Sequence, residues 1–452
     1  MRRRPGQGVA VLAALVAMCG SAPAAMTTEQ RLEALERLIR SQQDEIRQLR
    51  NELKQQKAVG TATQQQAERA EEQAKTVEKK QTTMSKVHDQ LSKFTPFGDL
   101  RVRYEGFFDQ PTKEGTKTTA RNRERIRYRL GFTYKYSDEL SATIRLASGN
   151  PNDPISTNET LTGDFTRKNV NLDWAYITLT PGQTFGWRPG IFSVTGGKFP
   201  NPMFRVGQMV FDDDLSPEGM SETLTLLDQP YGGLDQVRIY GEQWTFNEVS
   251  NGSDGWMFGG QINPVGHVGD VVLEGGIGQY WWNNANLIAQ ALNTNSSLVN
   301  TNLVYKMRDG DVAAYQSGYY DTNVTAAATF PEVAGKPLKL YVDYVHNWQA
   351  VNDDSNGIMG GLRFGQTKQA GDWDLWLYYE YLQQEAAISA FAFSDFGNGG
   401  TNQQGPVISL DYQLFDPLTL TATSYFTTLI DPAPDIDNRM QVRVQLDAQI
   451  KF

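Results

Sequence analysis

The chain has 452 residues, a net charge of -10 and a mean hydropathy of -0.49, which is too polar for a bundle of membrane helices. Beyond residue 25 there is no run of about 18 apolar residues, so no transmembrane helix is predicted, and the acidic balance argues against nucleic acid as a partner. The single cysteine, Cys19, falls in a segment expected to be removed, which leaves a mature chain without thiols.

Arg2, Arg3 and Arg4, the apolar run Val9 to Met18, and Ala22-Pro23-Ala24 have the order of an export leader, with cleavage after Ala24 or Ala25. A soluble helix start and a lipoprotein acylated at Cys19 are the alternatives, although Met18 is bulkier than an acylation motif normally accepts. Next comes a heptad. Leu32, Leu35, Ile39, Gln42, Ile46, Leu49, Leu53 and Gln56 fall alternately three and four residues apart on one seam. Gly60-Thr61 is expected to interrupt it, with a weaker helix from about Gln64 to Leu91. Residues 25–94 are therefore a coiled-coil segment that could join three copies, or a single solvated helix.

Thr95-Pro96-Phe97-Gly98 is read as the end of the helical region, after which the period changes to 2. In 122–135, Ile126, Tyr128, Leu130, Phe132 and Tyr134 alternate with Arg123, Arg125, Arg127 and Arg129. Strands are predicted near 99–109, 122–135, 139–148, 167–180, 190–199, 219–227, 234–247, 255–263, 269–281, 319–332, 337–348, 356–367, 372–385, 404–414, 417–428 and 437–452. Short connections, such as Ser137-Asp138, Gly266-His267, Gly335-Lys336 and Asp416-Pro417, alternate with long ones at 110–121, 149–166, 200–218, 282–318 and 386–403. About sixteen reversing strands with one apolar face fit an all-β transmembrane antiparallel barrel over 98–452, because lipid tolerates no unpaired sheet edge. The last strand alternates from Met440 onward and stops on Phe452, which resembles the terminal signal read by the bacterial barrel-assembly machinery.

The segments ARNRERIRYRLGF, NLDWAYITLTP, GGKFPNP and FDDDLSPEGMSE resemble the bacterial outer-membrane family called "putative porin" over roughly 98–452. That resemblance implies a trimeric channel in the outer-membrane lipid, passing small hydrophilic solutes and ions by diffusion, with the helix in the periplasm and no cofactor. It also implies that the third outer loop folds into the barrel.

Two charge groups carry the functional expectation. Alternation assigns Arg101, Arg103, Arg123, Arg125, Arg127, Arg129, Arg145, Arg439 and Arg443 to one face, and arginines facing lipid would each cost about 2–4 kcal/mol, so they face water. They form either a solvated lumen face or a solute-guiding ladder. Asp212, Asp213, Asp214, Glu218 and Glu222 lie in or just after the third outer loop and would face that wall. An exposed acidic loop and a calcium site are alternatives for the aspartates. Lys198 is placed at the loop base, in the lumen or on the surface. Trp281, Trp282, Tyr319, Tyr320, Trp348, Tyr378, Tyr379 and Tyr381 are expected to form aromatic girdles.

Three rivals remain. An outer-membrane enzyme has only His88, His267 and His346 available as bases, and the outward serine Ser424 is predicted four strands from His346, near 19 Å. A substrate-specific oxyanion channel, for phosphate or carboxylates, would exploit bidentate guanidinium contacts. A structural tether would use the helix to span the periplasm.

Overall fold

The computed structural model describes residues 27–113, 120–227 and 230–452. The expected leader, with Cys19 and the cleavage site, lies outside them. The chain divides into two compact units, one ending at Asp89 and the other comprising Gln90–Phe452.

In the first unit, α1 runs without a break over Thr28–Leu91. Gly60 does not divide it: one solvent-exposed glycine costs about 1 kcal/mol in a helix, too little to break a long one. The hydroxyls of Thr61 and Thr63 bond back to the Lys57 and Val59 carbonyls, both at 2.8 Å. The heptad leucines and isoleucines have no cover among the described residues; Leu32, Ile39 and Leu53 are 62%, 47% and 54% exposed.

The second unit is a closed antiparallel barrel. Its wall strands are β1 Phe94–Phe108, β2 Arg121–Lys135, β3 Leu140–Ala147, β4 Asn171–Leu179, β5 Phe192–Lys198, β6 Glu218–Leu227, β7 Leu234–Asn247 and β8 Gly255–Val268. They continue with β9 Val271–Asn283, β10 Tyr320–Val333, β11 Lys336–Asn347, β12 Asn356–Gln366, β13 Trp373–Leu382, β14 Gln403–Phe415, β15 Leu418–Leu429 and β16 Gln441–Lys451. Each pairs with its successor, and β16 returns to β1 with Asp99 opposite Lys451 and Phe108 opposite Val442. The terminal Phe452 completes the seam: its amide donates to Gly98 O at 3.1 Å and its carbonyl accepts from Gly98 N at 2.8 Å.

All sixteen expected strands are present, with three local corrections. Thr95-Pro96-Phe97-Gly98 already belongs to β1, because Phe94 to Gly98 pair with Tyr134 to Leu130. Strand β8 passes through Gly266-His267 and turns instead at Gly269, whose φ of 60° suits a tight reversal. Pro264 has no amide to give the ladder, and Asn263 Nδ2 substitutes by donating to Gly275 O at 2.7 Å. The next reversal is Ala334-Gly335, with φ of 51° and 81° as a two-residue hairpin turn requires.

Outward positions are apolar, as Leu100, Val102, Leu130, Ile144, Ile277, Ile358, Ile408 and Leu446 show. Inward positions are polar, charged or covered by loops. The aromatic pairs divide by the same alternation. Trp281, Tyr320 and Tyr379 face outward, while Trp282, Tyr319 and Tyr378 face inward, the first two buried under in-folded loops. Gly405 marks a point of close approach: its φ is 151°, and a Cβ there would run into the Phe426 carbonyl. Gly405→Val is expected to cost more than the roughly 1–3 kcal/mol of a strained backbone, read as a lower temperature at which the folded barrel loses its compact gel mobility.

Candidate functional site

The segment between β5 and β6 turns into the barrel. Its sequence, Phe199 to Phe211, is rich in Phe, Met and Val that water would not cover, and Phe199, Met203, Met209 and Phe211 are buried. Phe211 packs its ring 5.4 Å from Trp244 and 5.2 Å from Tyr280, both on inward positions of β7 and β9. Burying a side chain of this size stabilises by about 1.5–3 kcal/mol. The Gln261 amide on β8 fastens the loop through both backbone polar groups of one residue, accepting from Phe204 N at 2.8 Å and donating to Phe204 O at 2.9 Å.

A second inward segment, 383–402, lies beside the first. Its Ala386, Ala387, Ile388, Ala390, Ala392 and Phe396 are buried, and Phe391 stacks on Trp282 at 5.4 Å. The two segments are joined by Asp212. Its amide donates to Phe391 O at 2.9 Å, and its carboxylate accepts from Ser394 N at 2.9 Å and Asp214 N at 2.8 Å. Burial, reinforced by nearby Asp214, pushes the Asp212 carboxyl well above the ordinary range. Together the segments fill the lumen against the wall of β7–β13.

What remains open lies along the opposite wall. Antiparallel register sets Arg101 opposite Arg127 and Arg103 opposite Arg125, while Glu105 faces Arg123 and Asp99 faces Arg129. Eight of the nine expected arginines are on the lumen side. The exception is Arg439, which precedes β16 and pairs with Asp437 at 2.6 Å with half its side chain exposed.

The arginines do not form a bare positive wall. Carboxylates interleaved on the same strands neutralise most of them by contact. Arg127 and Arg129 share Asp99 at 2.9 and 2.6 Å. Arg103 binds Asp447 at 2.7 Å, and Arg145 binds Asp173 at 2.6 Å while stacking on Trp174. Glu105, with its side chain fully buried, accepts from Arg443 at 2.5 Å and also pairs with Arg123. Arg101 and Arg125 are the least satisfied. Their nearest carboxylates stand at 3.7 and 3.8 Å, and the Nε atom of each has no hydrogen-bond partner.

The loops complete the network. Asp214 reaches Arg129 at 3.2 Å, and Asp395 bridges Arg103 at 2.7 Å and Arg443 at 2.5 Å. Burial opposes the charge on Asp395, but Arg443 and Arg103 outweigh it and hold its carboxyl well below the ordinary range. Asp395 was invisible to sequence reasoning; its only signal is an acidic residue amid the Ala and Phe of that loop.

The three consecutive aspartates do not converge as calcium ligands would. Asp212 faces Ser394, Asp213 pairs with Arg205 at 3.1 Å and Asp214 with Arg129. Among the described residues no cluster of His, Cys, Asp or Glu is arranged to hold a metal. Glu218 and Glu222 leave the loop altogether. Glu218 is on β6, where it pairs at 2.9 Å with Lys198, whose ammonium also donates to Ser216 O at the loop base. Glu222 lies opposite Val194 and Gly241 on the outward face, because alternation from the inward Ser221 carries it out of the lumen.

A cavity of about 320 Å³ separates the arginine wall from the loops. Its charged lining is Arg101, Arg103 and Arg127 against Asp212, Asp213, Asp214, Asp395, Asp411 and Asp447. Trp376, Tyr378 and Tyr425 line it too, with the hydroxyls of Ser409, Thr421 and Thr423. A neighbouring cavity of about 390 Å³, lined by Asn150, Lys198 and Ser216 among others, shares Asp214 with it.

Residues 107–309 and 286–452 match the family model described as "Putative porin". Among solved structures, the chain is similar to OprB of Pseudomonas putida in its high-pH structure, at 12% identity over 82% of this chain and 96% of that one, with a TM-score of 0.52. OmpF of Salmonella typhi, in complex with daunomycin, matches at 11% identity over 79% of this chain and 97% of that one, with a TM-score of 0.47. No curated protein sequence matches the chain. With a family match spanning most of the barrel and a closed wall of sixteen strands, the chain belongs to the "Putative porin" family and is an outer-membrane β-barrel channel.

Proposed function

We propose that the channel passes small hydrophilic solutes and ions through an off-centre eyelet between the β13–β16, β1 and β2 wall and the segments 208–214 and 393–395. The 320 Å³ cavity carries this reading, since it lies between the arginine wall and the in-folded loops, whose apolar side chains pack against β7–β13. Leaving aside Asp212, whose carboxyl is pushed upward by burial, five carboxylates oppose three guanidiniums in its lining. Ring charges at a constriction select ions, so cations are favoured. The facing charges also set up a transverse field that orients dipolar solutes, with Arg101 as its least neutralised positive pole.

A reversal potential under a salt gradient tests the sign. Wild type is expected to be cation-selective, and Asp213→Asn with Asp411→Asn to move the potential toward zero. Arg125→Ser with Arg127→Ser is expected to lower anion permeability relative to cations. An anion-selective wild type would overturn the assignment. Conductance that saturates at millimolar phosphate would instead favour the oxyanion-channel reading.

The exposed heptad of α1 supports association of copies as a homotrimer, and the reading assigns that helix to the periplasm. The reading includes no catalysis: His346 and Ser424 both face outward, but on β11 and β15, four strands apart.

A further inference from the structure

Beside the eyelet, the 390 Å³ cavity adjoins another of about 270 Å³. Lys198, Leu215, Ser216, Glu218, Phe246 and Phe391 are among the residues lining both. The two make one chamber, and Asp214 is common to it and to the eyelet.

The chamber has an aromatic floor. Trp282 stands between Phe391, stacked at 5.4 Å, and Phe246, tilted at 5.6 Å. Phe246 is the inward residue after Trp244 on β7, and segment 383–402 brings Phe391, so two distant parts of the chain supply one row of rings. Phe246 and Phe391 are only half-buried, which leaves ring surface for a solute.

The polar groups decide what kind of solute those rings suit. The amides are already engaged: Asn150 Nδ2 donates to Ser297 Oγ at 2.6 Å, Asn171 Nδ2 to Gly149 O at 2.7 Å and Asn295 Nδ2 to Asn152 O at 2.7 Å. Two of these bonds tie the segment after β3 to the segment after β9, and together they leave few donors for a hydroxylated or anionic solute. Lys198, the one cation in the lining, is engaged by Glu218 at 2.9 Å and Ser216 O at 3.0 Å.

Two carboxylates, by contrast, lack a counterion among the described residues. Asp153, in the wall of the larger cavity, accepts from Ile155 N at 3.1 Å and forms no ion pair. Glu248, in the wall of the smaller, forms none either. An aromatic face attracts a cation through its quadrupole, and a carboxylate without a counterion adds to that attraction.

We infer that this chamber is a binding site for an amphipathic organic cation, an ammonium carried on an aromatic body, which passes Asp214 to reach the eyelet. The ring rests on Phe246 and Phe391, and Asp153 and Glu248 draw the ammonium. This rests on the cation-passing reading of the eyelet above.

The test uses the full-length channel in planar bilayers, with phenethylammonium as the probe and ethylammonium as its ring-free counterpart. Millimolar phenethylammonium is expected to interrupt the potassium current with an occupancy that saturates, and ethylammonium to interrupt it at least tenfold less often. Asp153→Asn with Glu248→Gln, and separately Phe246→Leu, are each expected to shorten the interruptions several-fold. Equal interruption by the two ammonium ions, or none by either, would overturn the inference on wild type alone, without recourse to a variant that must fold. Interruptions of unchanged length in both variants would overturn it too, because the blocking site would then be the eyelet. Each of these failures leaves a cation-selective reversal potential standing, and the eyelet reading with it. An anion-selective wild type would sink both.

Discussion

Asp395→Ala is expected to turn a quiet, cation-preferring channel into a noisier, wider one with a reversal potential shifted toward anions. One carboxylate holds two guanidiniums, at 2.7 Å to Arg103 and 2.5 Å to Arg443, and both arginines are almost fully buried. Removing one partner of a buried pair costs about 3–5 kcal/mol because the remaining charge is left uncompensated. Here the cost falls on segment 383–402, whose grip on the wall also includes the Ser394 and Gly397 carbonyls accepting from Arg443 at 3.0 and 3.2 Å. The freed Arg103 lines the eyelet, so loss of the loop and gain of positive charge act in the same direction. Acid should reproduce part of this. The Asp395 carboxyl is held below its ordinary value of 3.8, so its contribution is intact above that value and is lost as pH falls through the lowered one. Single-channel recordings of wild type below about pH 4 should therefore move toward the variant's behaviour. A quiet Asp395→Ala channel with unchanged selectivity would show that the bridge holds nothing.

Glu105→Ala is expected to have the largest effect on the barrel itself. Glu105 receives Arg443, Arg123 and Gln445 Nε2, with Arg125 at 3.8 Å, and it is completely covered. Its removal takes the nearest carboxylate from Arg123 and Arg125 on β2 and leaves Arg443 on β16 with Asp395 alone. The cost of about 3–5 kcal/mol for one uncompensated buried charge is then a lower bound. Folding yield in detergent and the temperature of unfolding should both fall sharply. Glu105→Gln keeps one acceptor oxygen and should fall between the two. A Glu105→Ala barrel as heat-stable as wild type would mean that water reaches these guanidiniums and screens them.

The wall was legible because two-residue alternation is dictated by the difference between lipid and lumen, and it repeats at every strand. Arg123, Arg125, Arg127 and Arg129 could be assigned to one face for the same reason: one register shift would have put all of them in hydrocarbon. The loop interior was not legible, since its contacts join segments nearly 200 residues apart, as Asp212 and Ser394 show. A signal existed in Phe199, Met203, Met209 and Phe211, too many apolar side chains for an outer loop. Glu222 was misplaced by grouping it with the acidic loop when the inward Ser221 and Thr223 on either side already fixed its face. Arg439 failed differently: the last strand begins at Gln441, four residues later than the predicted 437, because Asp437 and Asn438 hold that segment in a turn, Asn438 Oδ1 accepting from Leu429 N. The helix ran through Gly60 because backbone cooperativity in a long segment outweighs one poor residue.

The central claim is that permeation follows the eyelet beside β13–β16 and β1–β2. Ser409, inward on β14 and part of the cavity lining, is the position to probe. With Ser409→Cys in a Cys19→Ser background, a bulky cationic methanethiosulfonate added to an open channel should reduce single-channel current by more than half, with Ile408→Cys on the lipid side unaffected. Undiminished current through a fully modified Ser409→Cys channel would place the water path elsewhere and contradict the account.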